Sequence, residues 1–359
     1  MTAEITIAGR SIGAEHPTFI IAELSANHNQ SYDRALELVH AAKEAGADAI
    51  KLQTYTADTL TIPSNRPEFL IKGGEWDGRR FYDLYQEAHT PWQWQPKLCQ
   101  AANSLGLPFF STPFDATAVD FLEDMGVPAH KIASFELVDL PLIRRVAATG
   151  KPMIMSTGMA TLAEINDAVE AARDAGATEL ALLKCTSSYP APPEQANLRT
   201  IPHLAEAFGV VAGLSDHTLG IAVPVAAATL GAKVIEKHFT LRRSDGGPDS
   251  SFSLQPDEFR TMVDAVRVAE SAVGGVSYQA TDAEVKSRLY RRSLYVVKPI
   301  AKGEPFTDEN VRSIRPALGL PPKHLPEVLG TTAAVEVPEG VPLEWKHLAA
   351  WRENCFVRS

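Results

Sequence analysis

Two histidines, His217 and His238, stand where apolar runs break into polar residues, in Gly213-Leu-Ser-Asp-His-Thr and Val234-Ile-Glu-Lys-His-Phe-Thr. Between them Ile221–Leu230 is apolar, of helical length and closed by Gly231, so the stretch reads as strand, helix, strand. In a parallel α/β protein the C-terminal strand ends share one face. Both imidazoles then lie on one side, on neighbouring strands, where they can hold a divalent metal. Either histidine alone is more readily an ordinary hydrogen-bonded residue; equivalent placement in successive units favours the metal.

Six further apolar runs end in polar residues: Phe19–Glu23, Ala49–Gln53, Pro108–Thr112, Lys131–Glu136, Pro152–Thr157 and Leu180–Thr186. Across all eight ends the carboxylates are Glu23, Glu136, Asp216 and Glu236, and the lysines are Lys51, Lys131, Lys184 and Lys237. The hydroxyls are Ser111, Thr112, Ser134, Ser156, Thr157, Thr186, Ser187 and Ser215, with Gln53 beside them. Neighbours along a strand point to opposite sides, so Lys51 and Gln53 share one side, as do Ser134 and Glu136, and Glu236 and His238. Some of these residues face the helices instead. A lone lysine here is as well explained by a stem packed on apolar surface. Several, converging with hydroxyls in a negatively charged protein, suit a phosphate or carboxylate. Free carboxylates suit acid–base work. Such a set allows a metal-dependent aldolase, a phosphoenolpyruvate-condensing enzyme or a sugar-phosphate isomerase, and does not choose among them.

The segments that must position these residues read as amphipathic helices. Tyr32–Ala45 and Ala163–Ala175 each carry an apolar stripe at helical spacing. Gly46, Gly106, Gly126, Gly150, Gly176, Gly209 and Gly231 each fall between a helix and the next strand, where a left-handed cap is wanted. Eight strands alternating with helices predict a (β/α)8 TIM barrel. An open doubly wound sheet is the alternative, weakened because no Gly-x-Gly-x-x-Gly follows the first strand. Short strands at Glu4–Ile7 and Arg10–Ile12, turning at Gly9, precede the barrel. The long segment Thr54–Pro91 lies after a strand, hence on the active face, and is expected to cover substrate.

Helices are expected at Asp257–Ala272 and Asp282–Tyr290, after which proline- and glycine-punctuated short strands mark a small β-rich domain. The expected division is a barrel over 1–280, a linker over 281–290, the small domain over 291–350, and a disordered tail over 351–359.

Composition bounds the function. With 45% hydrophobic and 22% charged residues the chain reads as an ordinary globular protein, and its net charge of −10 argues against a nucleic-acid surface. No apolar run approaches the ~20 residues of a membrane span, and no signal peptide is visible. Cys99, Cys185 and Cys355 form neither a disulfide framework nor a Cys-x-x-Cys site. A cytoplasmic protein is expected.

Several ordered motifs then carry a resemblance: Ile21-Ala-Glu, Lys51-Leu-Gln-Thr, Ser111-Thr-Pro-Phe-Asp, Lys131-Ile-Ala-Ser-Phe-Glu, Ser156-Thr-Gly-Met, Cys185-Thr-Ser-Ser-Tyr-Pro, Gly213-Leu-Ser-Asp-His-Thr, Ile235-Glu-Lys-His-Phe-Thr and Gly247-Pro-Asp. Together they resemble the sialic acid synthase family, which condenses phosphoenolpyruvate with an amino sugar to make nine-carbon keto acids. The tail motif, Lys302-Gly-Glu…Phe306-Thr…Asn310-Val…Arg315-Pro, is similar to that family's C-terminal antifreeze-like SAF domain.

The resemblance implies a divalent metal, Mn2+ or Mg2+, on His217 and His238. It implies phosphoenolpyruvate binding by Lys51, Thr112, Lys131, Ser134, Ser156 and Ser215, with Glu23, Glu136 and Lys51 as the catalytic set. Gln53, Ser187, Tyr189 and Asp249 fall at the sugar. Arg315 matches an arginine delivered into the partner subunit's barrel, which implies a domain-swapped homodimer. Ser187 stands where sialic acid synthases usually carry asparagine, and Asp249-Ser-Ser-Phe-Ser-Leu departs from their usual sequence. These features, with Gly74-Glu-Trp-Asp-Gly and Tyr85-Gln-Glu-Ala-His-Thr-Pro-Trp, resemble the pseudaminic acid branch, which takes 2,4-diacetamido-2,4,6-trideoxyaltrose. Tyr82, Tyr85 and Trp92 are the expected aromatic cover over that deoxy sugar. The rival expectations are the same chemistry on N-acetylmannosamine or a legionaminic-type precursor, and a non-catalytic sugar-binding barrel.

Overall fold

The computed structural model describes residues 3–349. The chain divides into two compact units, the first ending at Gly274 and the second beginning at Gly275. The tail expectation over 351–359, and Cys355 with it, lie outside the described residues.

In the first unit β1 (Glu4–Ile7) and β2 (Arg10–Gly13) form an antiparallel hairpin. Eight parallel strands follow: β3 (Phe19–Glu23), β4 (Ala49–Thr54), β5 (Phe109–Pro113), β6 (His130–Ile132), β7 (Met153–Ser156), β8 (Leu180–Cys185), β9 (Val211–Asp216) and β10 (Val234–His238). They pair in chain order, and β10 closes on β3, so the sheet is a closed barrel and not an open one. Residues on these strands are buried almost throughout, as expected where helices cover one face and the barrel interior fills the other.

The helices form because their apolar positions recur on one face. In Tyr32–Glu44 the buried residues are Ala35, Leu38, Val39 and Ala42. In Leu162–Asp174 they include Ile165, Ala168, Val169 and Ala172, and Thr161 with Glu164 closes a capping box. Each fully buried Leu, Ile or Val contributes roughly 1.5–3 kcal/mol. All seven helix-to-strand glycines have positive φ, the conformation that turns each chain segment back into the barrel.

The hairpin seals the barrel at its N-terminal end. Ile5, Ile7 and Ile12 are buried in the same cluster as Phe19, Ile20 and Phe110. Arg10 pairs with Asp48, just before β4, at 2.5 Å, and the Thr6 amide donates to Glu179, just before β8, at 2.7 Å. β4 and β8 lie four strands apart in a ring of eight, so the hairpin spans the barrel's diameter.

The segment Thr54–Pro91 contains the helices Ala57–Leu60 and Phe81–Ala88 and a 3-10 turn at Pro67–Phe69. In the second unit, the helix Asp282–Ser287 leads to β11 (Ser293–Val296) and β12 (Val311–Ile314), an antiparallel pair. Leu294, Val296, Ile300, Phe306 and Val311 belong to a core of its own. No helix among the described residues is long and apolar enough to cross a membrane.

Candidate active site

All eight barrel strands contribute to one cavity at their C-terminal ends. Glu23, Lys51, Gln53 and Thr112 line one side, and Lys131, Ser134 and Ser156 continue it. Cys185, Tyr189, Ser215, His217, Glu236 and His238 complete the ring. Register places these residues at one level: Glu23 stands beside Lys51 on one flank and His238 on the other, and Gln53 stands beside Thr112.

Strand alternation sorts the inventory. Glu236 and His238 enter the cavity, whereas Lys237 between them turns away and pairs with Asp216 at 2.5 Å, both buried. Asp216 is thus a structural carboxylate, held further by Thr218. Ser111 also turns outward, bonding Thr54 at 2.7 Å. Lys184 donates to the Cys185 carbonyl at 2.7 Å and does not line the cavity.

Alternation fails at one place. β6 ends at Ile132, and Ser134–Glu136 form a 3-10 turn, so the side chains no longer point by turns to two faces. Ser134 and Phe135 line the cavity, while Glu136 sits half-buried beyond it with Oε2 bonded to no described residue. Burial pushes the Glu136 carboxyl up to about 7, against the pull of its own backbone amide and the Lys131 ammonium. Its folded pKa lies above its unfolded value, so the stability it contributes is complete below the unfolded pKa and lost as pH rises through about 7. Over that window wild type is expected to lose about 1.4 kcal/mol per pH unit from this group alone. Glu136→Gln should remove that slope. Urea unfolding of both proteins at pH 5 and pH 7.5 measures it, and parallel pH dependences would contradict it.

The centre of the cavity is an ion-pair cluster. Lys51 Nζ contacts Glu23 directly, lies 3.6 Å from Glu236 Oε1 and donates to Thr112 Oγ1 at 3.0 Å. Burial depresses Lys51, but the two carboxylates more than offset it and hold the ammonium above its usual pKa. Burial likewise raises Glu236, and Lys131, Lys51 and His217 outweigh it, holding that carboxylate ionised. At Glu23 burial wins over the Lys51 charge and the direction is upward. Burial draws Lys131 down despite Glu236. Ser215 Oγ lies 3.5 Å from Glu236 Oε1, and Ser156 Oγ and Glu236 Oε2 are buried without a bond to any described residue. Buried polar atoms in that state call for a partner, whether a water, an ion or a polar ligand.

The two histidines face each other with ring centroids 5.3 Å apart. His217 Nδ1 donates to the Thr186 carbonyl at 3.0 Å; burial opposes the charged ring, but Cys185 and that carbonyl hold the imidazole above its usual pKa, so Nε2 is a lone-pair donor only once its proton has left. His238 Nδ1 is buried and unbonded among the described residues, and burial holds this imidazole well below its usual pKa, hence neutral. One nitrogen from each ring can serve a divalent cation, with His217 giving up a proton to do so. No group of three or more His, Cys, Asp or Glu among the described residues is arranged to hold a metal ion, so the histidine pair alone would have to supply the protein's donors.

Aromatic rings wall the histidine pair. Tyr189 lies 4.4 Å from His217, Phe252 lies 5.0 Å from His238, and Trp76 of the long segment packs on Tyr189 at 5.3 Å with the rings tilted by 46°. Trp76 also donates to the Pro248 carbonyl at 2.8 Å, tying the covering segment to the chain after β10. The expected cover differs. Tyr82 donates to Asp58, Tyr85 packs on Tyr55 and Phe81, and Trp92 packs on Phe121, so these three brace the covering segment and do not line the cavity.

Ser187 packs beside Ser134 at Gly158, where any Cβ would meet both hydroxyls. Asp249 is buried just outside the lining, bonded to Ser25. Arg315 is exposed on the second unit, immediately after β12. Sequence reasoning missed Cys185, Trp76, Phe252 and Ser25. Cys185 was legible, since it alternates with the outward Lys184. The other three stand on loops, which carry no period.

An eight-stranded barrel with this site, joined to a small β-rich unit, defines the class. The chain belongs to the NeuB family, whose profile matches residues 38–278, and a SAF domain matches 291–349. It is 47% identical over 334 residues to pseudaminic acid synthase of Campylobacter jejuni, covering 93% of this chain and 97% of that one. It is 46% identical to pseudaminic acid synthase of Helicobacter pylori, covering 91% and 96%. Among solved structures it is similar to N-acetylneuraminic acid synthetase of Leptospira borgpetersenii, with a TM-score of 0.71 and 31% identity over 80% of this chain and 95% of that one.

Proposed function

We propose that this chain condenses phosphoenolpyruvate with 2,4-diacetamido-2,4,6-trideoxy-β-L-altrose and water, giving pseudaminic acid and phosphate. One observation carries the reading: the imidazole pair, two buried lysines, and the Thr112, Ser134, Ser156 and Ser215 hydroxyls converge in one cavity of a chain similar throughout to pseudaminic acid synthases. Lys51 and Lys131 with those hydroxyls bind the carboxylate and phosphate of phosphoenolpyruvate. Gln53, Ser187, Tyr189 and Asp249 hold the sugar. A divalent ion, Mn2+ or Mg2+, on His217 and His238 would supply Lewis-acid polarisation of the open-chain aldehyde oxygen.

Carbon 3 of phosphoenolpyruvate bonds to the aldehyde carbon while water adds at carbon 2, and the resulting tetrahedral carbon expels phosphate. Glu23, on the cavity wall, is the candidate carboxylate for stabilising positive charge at carbon 2 and taking the water's proton; Glu136, the other expected candidate, sits beyond the lining. Lys51 keeps the neighbouring carboxylates in place and steadies the anion. Fixing both substrates in one cavity supplies the orientation a bimolecular step needs.

The assembly we propose is a domain-swapped homodimer in which Arg315 serves the other chain's site. Phe135, Met159 and Leu219, on three loops at the C-terminal face, are 57%, 61% and 62% exposed, an apolar rim that suits a partner surface. A reaction that consumes phosphoenolpyruvate suits the cytoplasm, the compartment we propose for it.

Incubation with phosphoenolpyruvate, Mn2+ and each sugar separately, with phosphate release measured, tests the substrate. Fastest turnover is expected on the diacetamido sugar. Equal or greater turnover on N-acetylmannosamine would overturn the choice, and no release from any sugar would restore a non-catalytic barrel.

A further inference from the structure

Two residues beyond β3 the backbone does something a serine rarely does. Ser25 has φ +43°, in the left-handed region that favours glycine, and is only 2% exposed. Non-glycine residues held there in a buried site persist where surrounding bonds over-determine them.

The bonds are specific. The single Ser25 hydroxyl proton goes to Asp249 Oδ2, which also takes the Ala26 amide at 3.4 Å. The hydroxyl oxygen accepts the Gln53 amide at 3.2 Å, and the other Gln53 N–H goes to Glu23 Oε1, also at 3.2 Å. This fixes the orientation of the Gln53 amide, because the flipped form would set its carbonyl oxygen against the Glu23 carboxylate. Both Gln53 donors are then used. These bonds use only Asp249 Oδ2 and the Gln53 amide N–H groups, so among the described residues the Gln53 carbonyl oxygen and Asp249 Oδ1 accept none, and Ser25 bridges the two side chains that carry them.

We infer that Ser25 is a positioning residue for the sugar: it holds Gln53 and Asp249 so that two acceptors meet a substrate bearing hydroxyl and acetamido N–H donors. The inference rests on the condensing reading above. Its bland competitor is a serine that only shapes the turn at Ser25–Gln30.

Ser25→Gly separates the two. Glycine takes φ +43° without strain, so the melting temperature should stay level or rise. Loss of the hydroxyl releases both groups, and the KM for the sugar should rise about tenfold or more, as for a bond to a charged group, with the KM for phosphoenolpyruvate within twofold of wild type. Asp249→Asn in the glycine background should add less than it does alone, because both changes break one network. Ser25→Ala, which keeps Cβ, should repeat the kinetic split with reduced stability. An active wild type with an unchanged sugar KM in Ser25→Gly, or with both KM values raised equally, overturns the proposal alone. A wild type that releases no phosphate with any sugar overturns the condensing reading and this proposal with it.

Discussion

His238→Gln should lower phosphate release by about three orders of magnitude while the barrel stays folded. The ring sits at the end of β10, 7% exposed, with Phe252 on one side and His217 on the other. Glutamine roughly fills that volume and keeps a polar head, so the packing cost stays modest. What it removes is one of two imidazole donors. Lewis-acid help is worth several kcal/mol at the transition state, and about 4 kcal/mol corresponds to about 10³ in rate. Far-ultraviolet circular dichroism and a melting curve check the fold. Chelation should reduce wild type to the level of the variant and leave the variant unchanged. A wild type indifferent to the chelator would remove the metal from the reading.

Lys51→Met should cost about 3–5 kcal/mol of folding stability at pH 7, because it strands buried carboxylates whose charge this ammonium compensates. Glu23 is 0% and Glu236 5% exposed, and Lys51 reaches both. Without it, burial lifts the Glu23 carboxyl further above its unfolded value and draws Glu236 upward as well. A carboxyl in that state contributes stability below its unfolded pKa and loses it as pH rises through the folded one, so the deficit should shrink between pH 7 and pH 5. Glu23→Gln in the same background should recover part of it. Urea unfolding at the two pH values gives the result, and a variant within about 1 kcal/mol of wild type at pH 7 would show that the cluster is compensated otherwise. Catalysis should be lost in either case.

Much of this was legible because barrel strands are periodic. Each apolar run that ends in polar residues became a strand, and alternation carried Lys51, Gln53, Ser215, Glu236 and His238 into the cavity. The same rule would have set Ser134 and Glu136 on a common side, but β6 stops two residues earlier and a 3-10 turn rotates them apart. Asp216 and Lys237 looked like site residues by position, and only the neighbouring strand's register makes them each other's partners behind the barrel. Loop residues were the least legible. Phe252 reaches the histidines, and Trp76 reaches Tyr189, through packing between segments far apart in the chain, and no local pattern announces that.

The hairpin beneath the barrel has a bearing on traffic. With Ile5, Ile7 and Ile12 driven into one end and a packed interior above them, the site is a blind well with one mouth. On the proposed assignment the phosphate pocket lies at the strand ends and the sugar nearer the covering segment that Trp76 ties down. Reactants and products then share one exit in single file. Products leave by the way the substrates came, past the segment that Trp76 ties down.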